Sequence, residues 1–298
     1  MSNVSAQQTA QPDQPNTDLD EIIHGLSQPQ KTISPKWFYD EHGSELFEQI
    51  TEQPEYYPTR VELSILRDNM AAIAGALGER ISLIEFGAGA SVKVRLLLDG
   101  VGEIVVFVPV DISGDHLQNA AEALAKDYAH IEILPVAADF TRPFELPQPK
   151  IMPRRNIVFF PGSTIGNFPP DAALALLRSM RSVAKDGGGL LIGVDLKKDP
   201  AVLERAYNDA NGVTAAFNLN MLTHLNRRFG SDFAPEAYAH RAVYNEALGR
   251  IEMHLISHRS QTVTFGERTF EIAAGEYLLT ECSYKYALED FSNLARQA

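Results

Sequence analysis

Cysteine is nearly missing from this chain of 298 residues, where Cys282 stands alone. A single thiol excludes a disulfide framework and a thiolate zinc cluster, and a reducing cytoplasm is the expected setting. Positive charge is also scarce. Lys and Arg number 26 against 39 Asp and Glu, a formal net charge of −13. That balance argues against a nucleic-acid partner, since phosphate binding needs a basic face, but it is no obstacle to a cationic small molecule. No apolar run approaches the ~18 residues of a membrane span. The N-terminal MSNVSAQQTAQPDQPNT is polar, without a signal-peptide core, so no membrane partner is expected. The eight histidines show no H-x-x-x-H or clustered spacing, so no metal site is expected. No internal repeat is visible.

The composition that remains, 45% hydrophobic and 22% charged, is enough for a sizeable core in one or two domains. Residues 1–17, rich in Gln, Ser, Thr and Pro, read as a disordered tail. DLDEIIHGL then predicts a short helix, followed by a stretch dense in aromatics and turn residues up to Arg60. Thr59 is placed to cap one long amphipathic helix, VELSILRDNMAAIAGAL. From SLIEFGAG the rhythm changes. Strands EIVVFVPVD, IEILPVAADF, NIVFFPG and GGGLLIGVDL follow, with helices SVKVRLLLDG, SGDHLQNAAEALAKDY and DAALALLRSMRSVAK among them. Such alternation predicts right-handed βαβ units and a mostly parallel sheet. After Lys197 it stops. Two helices, several antiparallel strands and a last helix in ALEDFSNLARQA are expected there.

IEFGAGAS, residues 84–91, is the sharpest local signal. A strand ending in acid-x-Gly-x-Gly lets the backbone pass close to a ligand, because neither glycine carries a Cβ. Ligands of open α/β sheets bind outside the carboxyl ends of the strands. The second strand ends in Asp111, an acceptor suited to two ribose hydroxyls. The third ends in Asp139-Phe140, an acid to accept from an adenine amino group beside a ring to cover a base. Acids at the ends of three consecutive strands form the pattern of an S-adenosylmethionine (SAM) site. A dinucleotide fingerprint would need a third Gly or Ala where Val92 stands. The plainer alternative is a tight β–α turn. PGSTIGNFPP, residues 161–170, follows the fourth strand with two hydroxyls and an amide; it suits a polar small molecule, or is a capped turn with Asn167 bonding local backbone.

FYDEHGSELFEQIT, QPEYYPTR, IEFGAGASVK, FFPGSTIGN, GVTAAFNLN, RIEM and LLTECSYK together carry a resemblance over the chain from about residue 18. It resembles the histidine-specific, SAM-dependent methyltransferases of ergothioneine biosynthesis. The resemblance implies an α/β fold: a Rossmann-like class I SAM-dependent methyltransferase sheet domain, residues 60–196 plus 287–298, with a second α+β substrate-binding subdomain, residues 18–59 plus 197–286. It also implies a strand hairpin after the last helix, for which the sequence has no residues. SAM is the implied cosubstrate, contacted by Gly87, Lys93, Asp111, Asp139 and Phe140. L-Histidine is the implied substrate. Asn167 and Tyr207 would hold its α-carboxylate and α-amino region, Glu281 and Ser283 its imidazole, and Tyr56 and Met253 would complete the pocket. Tyr39 matches a tyrosine close to the site, and Tyr39 or Asn167 could relay a proton. Three methylations of the α-amino group by a cytoplasmic monomer are implied, giving Nα,Nα,Nα-trimethylhistidine (hercynine). A related enzyme acting on another amine, or a SAM-binding protein with little turnover, is the alternative.

Strand alternation puts Leu279, Glu281, Ser283 and Lys285 on one face of LLTECSYKY. Residues i and i+2 lie roughly 7 Å apart, close enough to meet one ring. Glu281 only accepts hydrogen bonds, whereas Ser283 can donate or accept. Read from the residues alone, Glu281 pairs with Lys285 on a solvated face, since charged residues on strands are mostly solvated.

Overall fold

The computed structural model describes residues 15–88, 92–112 and 114–298. Helix α1 (Pro15–Leu26) opens on a proline, whose missing N–H costs nothing in a first turn; the helix thus starts inside the stretch read as tail, the rest of which lies outside the described residues. A 3-10 turn (Pro35–Phe38) leads into α2 (Glu41–Glu52), which was hidden among aromatic and turn residues. Asp40 starts it by accepting from the Gly43 N–H at 2.7 Å. Then come α3 (Tyr57–Asp68) and α4 (Met70–Leu77) in place of one long helix. Asn69 divides them with φ −114° and ψ 13°, its side chain donating to the Ile65 carbonyl at 2.9 Å in competition with the backbone. Thr59 is no cap. The helix begins two residues earlier, with Pro58 in its first turn.

Next are β1 (Ile81–Phe86), α5 (Val92–Gly100), β2 (Ile104–Asp111) and α6 (Gly114–Asp127). The third expected strand is broken into β3 (Glu132–Ile133) and β4 (Val136–Ala137), both paired with β2. Pro135 separates them, having no N–H for the ladder. Asp139 therefore lies past the end of β4 rather than on it. β5 (Arg155–Phe160), α7 (Pro170–Ala184), β6 (Gly189–Ile192), α8 (Pro200–Ala206) and α9 (Val213–Phe229) follow. The last elements are β7 (Tyr238–Asn245), β8 (Arg250–Ser257), β9 (Gln261–Phe265), β10 (Arg268–Ile272), β11 (Tyr277–Tyr284) and α10 (Leu288–Gln297).

Packing divides the chain into two compact units. One holds the described residues up to Leu46, Ala215–Arg241 and Met253–Glu281; the other holds Phe47–Thr214, Ala242–Glu252 and Cys282–Ala298. Residues 47–59, 197–214, 242–252 and 282–286, expected with the second subdomain, thus pack with the parallel sheet.

In the sheet unit the strand order is β3-β2-β1-β5-β6. β1 is buried along its whole length, as a central parallel strand covered on both faces must be. Alternation sends Leu83 with Phe107 and Phe159 into one core layer, and Ile84 with Val108, Val110 and Phe160 into the other. The chain moves outward from β1 through β2 to β3, then returns to place β5 on β1's other side. That reversal opens a crevice at the carboxyl ends of β1 and β5, where doubly wound sheets bind ligands. β6 stands at the sheet's edge.

The other unit packs its aromatics around α9: Phe38 stacks on Phe217 at 4.4 Å, and Trp37 meets His224 and Phe229 edge-on. Asp40 ties this together, accepting from Asn220 at 2.8 Å and Arg227 at 2.6 Å. β9 and β10 form a two-residue hairpin whose first loop residue, Gly266, has φ +61°. β7, β8 and β11, strands with residues in each unit, form a three-stranded sheet in the order β11-β8-β7.

Candidate active site

Gly87 turns the chain at the end of β1 with φ +73°, a conformation only glycine adopts cheaply. Its N–H donates to the Val110 carbonyl at 2.9 Å, tying the turn to the end of β2 beside Asp111. The Phe140 ring edge lies 3.6 Å from where a Gly87 side chain would begin, and the same ring meets Phe86 and Phe160 at 5.6 and 5.7 Å. Gly87, Asp111 and Phe140 are thereby gathered at one end of the sheet, a cradle that fits an adenosyl group. The second glycine of the motif, Gly89, lies outside the described residues. Asp139 spends one oxygen locally, accepting from the Thr141 N–H at 2.9 Å and hydroxyl at 2.6 Å, while Arg142 stands 3.5 Å from the other. Beneath the turn, burial pushes the Glu85 carboxyl up to about 8, more than Lys93 pulls it down.

The loop 161–167 is held at three points. Glu62 on α3 accepts the Gly162 N–H on both oxygens, at 2.8 and 3.0 Å, and pairs with Lys93 at 2.6 Å. Ser163 is left-handed at φ 56°, and its hydroxyl accepts from the Asp195 N–H at 2.8 Å. Such backbone persists only where the surroundings over-determine it. At Gly166 a Cβ would sit 2.7 Å from the Tyr284 carbonyl oxygen, so glycine lets the 3-10 turn Thr164–Asn167 lie directly on the end of β11. Asn167 closes that turn half-buried, and its amide has no hydrogen-bond partner among the described residues.

Past β6, Asp195 gathers Tyr57, Lys198 and Lys285. The Tyr57 hydroxyl donates to it at 2.6 Å, Lys285 pairs with it at 2.9 Å, and Lys198 donates to its other oxygen. Burial disfavours the charge, yet Lys285, Lys198 and Tyr57 together hold the Asp195 carboxyl below its ordinary value. Burial first, then the bond to Asp195, pushes the Tyr57 phenol up, so Tyr57 stays protonated. Lys285 also donates to Ser283 Oγ at 2.8 Å and to Tyr207 Oη at 3.1 Å, and Tyr207 donates to Ser283 at 3.0 Å. Tyr56 packs edge-on against Tyr207 at 6.1 Å. One polar network thus runs from the 161–167 loop through Asp195 to Ser283 and Tyr207.

Lys285 therefore does not lie on a wet face. Along β11 the buried positions are Leu278 and Thr280, then Ser283, followed by Lys285 just past the strand. The burial changes phase at Glu281-Cys282, and the half of the face holding Ser283 and Lys285 is buried. Glu281, half-buried, belongs to the other unit with Met253 and Tyr39. There Met253 is buried on β8, its carbonyl accepting from the Thr280 hydroxyl at 3.1 Å, and the partly exposed Tyr39 ring meets Phe217 edge-on at 5.7 Å. Sequence reasoning missed Glu62, Asp195 and Lys285 as parts of the site. Their partners are remote in the chain, and charged residues default to solvent.

An open parallel sheet of this order, with a glycine turn after β1 and acids at the neighbouring strand ends, defines a Rossmann-like, class I SAM-dependent methyltransferase fold. Residues 18–298 match the model of the family described as "Histidine-specific methyltransferase, SAM-dependent", and the chain belongs to that family. It is 43% identical over 272 residues to a histidine N-alpha-methyltransferase of Mycobacterium tuberculosis, covering 89% of this chain and 83% of that protein. It is likewise 43% identical over 275 residues to the protein of that description from Mycolicibacterium smegmatis, covering 91% and 84%. Ergothioneine biosynthesis protein 1 of Schizosaccharomyces pombe is 31% identical over 258 residues, which span 83% of this chain and 33% of that protein.

Proposed function

We propose that this chain transfers methyl groups from SAM to the α-amino group of L-histidine, three times in succession, giving Nα,Nα,Nα-trimethylhistidine for ergothioneine synthesis. Family membership supports the reaction class. The observation that carries the substrate reading is the buried Ser283–Tyr207 pair on Lys285, two residues along β11 from Glu281 and beside the turn that ends in Asn167.

SAM when bound supplies a methyl group already activated by its sulfonium. What remains for the protein is alignment, because a displacement needs the amine lone pair aimed at the methyl carbon. Asn167 offers an amide without another partner among the described residues; it orients the substrate's α-amino and carboxylate groups and takes no proton from them. Ser283 and Glu281 hold the ring. A substrate lacking ring nitrogens would make neither of these bonds, and that loss selects histidine over apolar analogues. Asp195 and Tyr57 are unsuited as bases, the first held ionised by three donors and the second held protonated. On the SAM side, Gly87, Lys93, Asp111, Asp139 and Phe140 keep the roles that the resemblance implies. The lone cysteine supports a cytoplasmic enzyme, and we read it as a monomer. No described helix is long and apolar enough to cross a membrane.

Incubation with SAM and each free amino acid in turn, followed by mass spectrometry, tests the reading. Histidine should pass through mono-, di- and trimethylated species. Equal methylation of several amino acids, or none of histidine, would refute it.

A further inference from the structure

Lys285 is buried, its side chain 1% exposed, and its ammonium donates to Asp195, Ser283 and Tyr207 at 2.9, 2.8 and 3.1 Å. An ammonium has three N–H groups and no lone pair, so both hydroxyl oxygens must accept from it. The two hydroxyls carry two protons, and the 3.0 Å contact between them uses one. Tyr207, the more acidic, is the donor in that contact. Ser283 Oγ then accepts twice, from Tyr207 and from Lys285, which occupies both its lone pairs. Its own proton is the one left over. Ser283 in this setting can donate but cannot accept.

We propose that Lys285 is a positioning residue that fixes Ser283 as a donor, so that the site selects a substrate ring nitrogen bearing a lone pair: a neutral azole rather than its protonated form. The proposal rests on the reading of Ser283 at the substrate ring. A neutral imidazole offers one N–H and one lone pair. With the N–H given to Glu281, the lone pair meets the Ser283 proton, whereas an imidazolium would set a second N–H against that proton. Several charged and titratable groups among the described residues surround the pair. Asp195 and Lys198 face it from the segment after β6, Tyr57 from α3, Tyr56 through the Tyr207 ring, and Glu281 precedes it on β11. On β8, Arg250 donates to the Tyr284 hydroxyl and pairs with Glu252. The Asp195 charge, compensated by Lys198 and Tyr57 as well, does not depend on Lys285 alone.

The test is calorimetric titration of histidine into protein saturated with S-adenosylhomocysteine, between about pH 5.5 and 8.5, across the range where an imidazole titrates. In the unaltered protein, affinity for histidine should fall about tenfold per pH unit below the ring's pKa of about 6.5, while nucleoside affinity stays level. Lys285→Met frees a lone pair on Ser283. Histidine affinity at pH 8 should then drop about tenfold, and the acid-side loss should shrink to less than about threefold. A merely structural Lys285 would leave that slope intact. A full acid-side slope in Lys285→Met overturns the proposal, and so does a flat or rising affinity in acid for the unaltered protein, which requires no variant to fold. Ser283→Ala separates the two levels. If it leaves histidine affinity and its pH profile unchanged, Ser283 does not meet the ring and the substrate reading fails. If it flattens the profile and Lys285→Met does not, only the role of Lys285 falls.

Discussion

Glu62 holds the loop 161–167 and Lys93 at once, so its removal should be felt well beyond α3. Glu62→Ala deletes a charged acceptor from the Gly162 N–H, a bond worth about 1.5–3 kcal/mol. It also deletes an ion pair whose side chains are 16% and 19% exposed, worth about 1 kcal/mol once solvent screening is allowed for. The expected cost is therefore about 3 kcal/mol, or roughly 6–10 °C in Tm for a chain of this size. A second substitution reaches the same bonds from the other side. A Cβ on Gly193, just past β6, would stand 2.0 Å from Glu62 Oε1. Gly193→Ala must then push the carboxylate off Gly162 and should cost about as much as losing it. Because both changes break one interaction, the double variant should cost about 3 kcal/mol rather than 6. Urea unfolding followed by circular dichroism is the assay, since the single tryptophan, Trp37, lies in the other unit. Additive losses, or a Glu62→Ala effect under about 0.5 kcal/mol, would refute the reasoning.

Glu85→Gln should gain on the unaltered protein as pH rises. The unfolded carboxyl ionises from its ordinary 4.5 while the folded one stays protonated up to about 8. The folded state thus binds more protons throughout that window, and stability falls as pH rises through it, by at most about 1.4 kcal/mol per unit. A stability gap between the two proteins that stays constant from pH 5 to 8, read by urea unfolding, would contradict this. Glu281→Ala should weaken histidine binding sharply and leave SAM binding within about threefold, whereas Asp111→Ala should do the reverse; calorimetry showing equal losses for both ligands would remove either assignment. Gly166→Ala would drive a methyl group into the Tyr284 backbone, displacing Asn167. Turnover should fall by roughly tenfold or more with SAM affinity unchanged, and normal turnover would show that the close approach does not set the site.

Much of this architecture was legible because parallel strands buried on both faces must be apolar throughout. SLIEF and IVVFV announce β1 and β2 by that fact, and Gly87 announces the turn that a side chain would spoil. The breaks were less visible. Pro135 and Asn69 each interrupt an element whose hydrophobic pattern continues across them, and a pattern weighs side-chain burial, not the missing donor or the competing amide. The site divided in the same way. Gly87, Asp111 and Phe140 could be read from strand ends. Ser283 and Tyr207, matched by resemblance, come together within one network, but the groups that hold them could not be read. Tyr57, Asp195 and Lys285 are brought together by tertiary packing alone, 138 residues separating the first two. A lysine in LLTECSYKY reads as solvated until the carboxylate that compensates it is located.

The most direct test of the central claim is to react the protein with SAM and isotopically labelled histidine to completion, and assign the product by nuclear magnetic resonance. The account predicts one product, with three equivalent methyl groups on the α-nitrogen and an unmodified imidazole. A methyl group on either ring nitrogen, or a reaction that ends at one methylation, would contradict it.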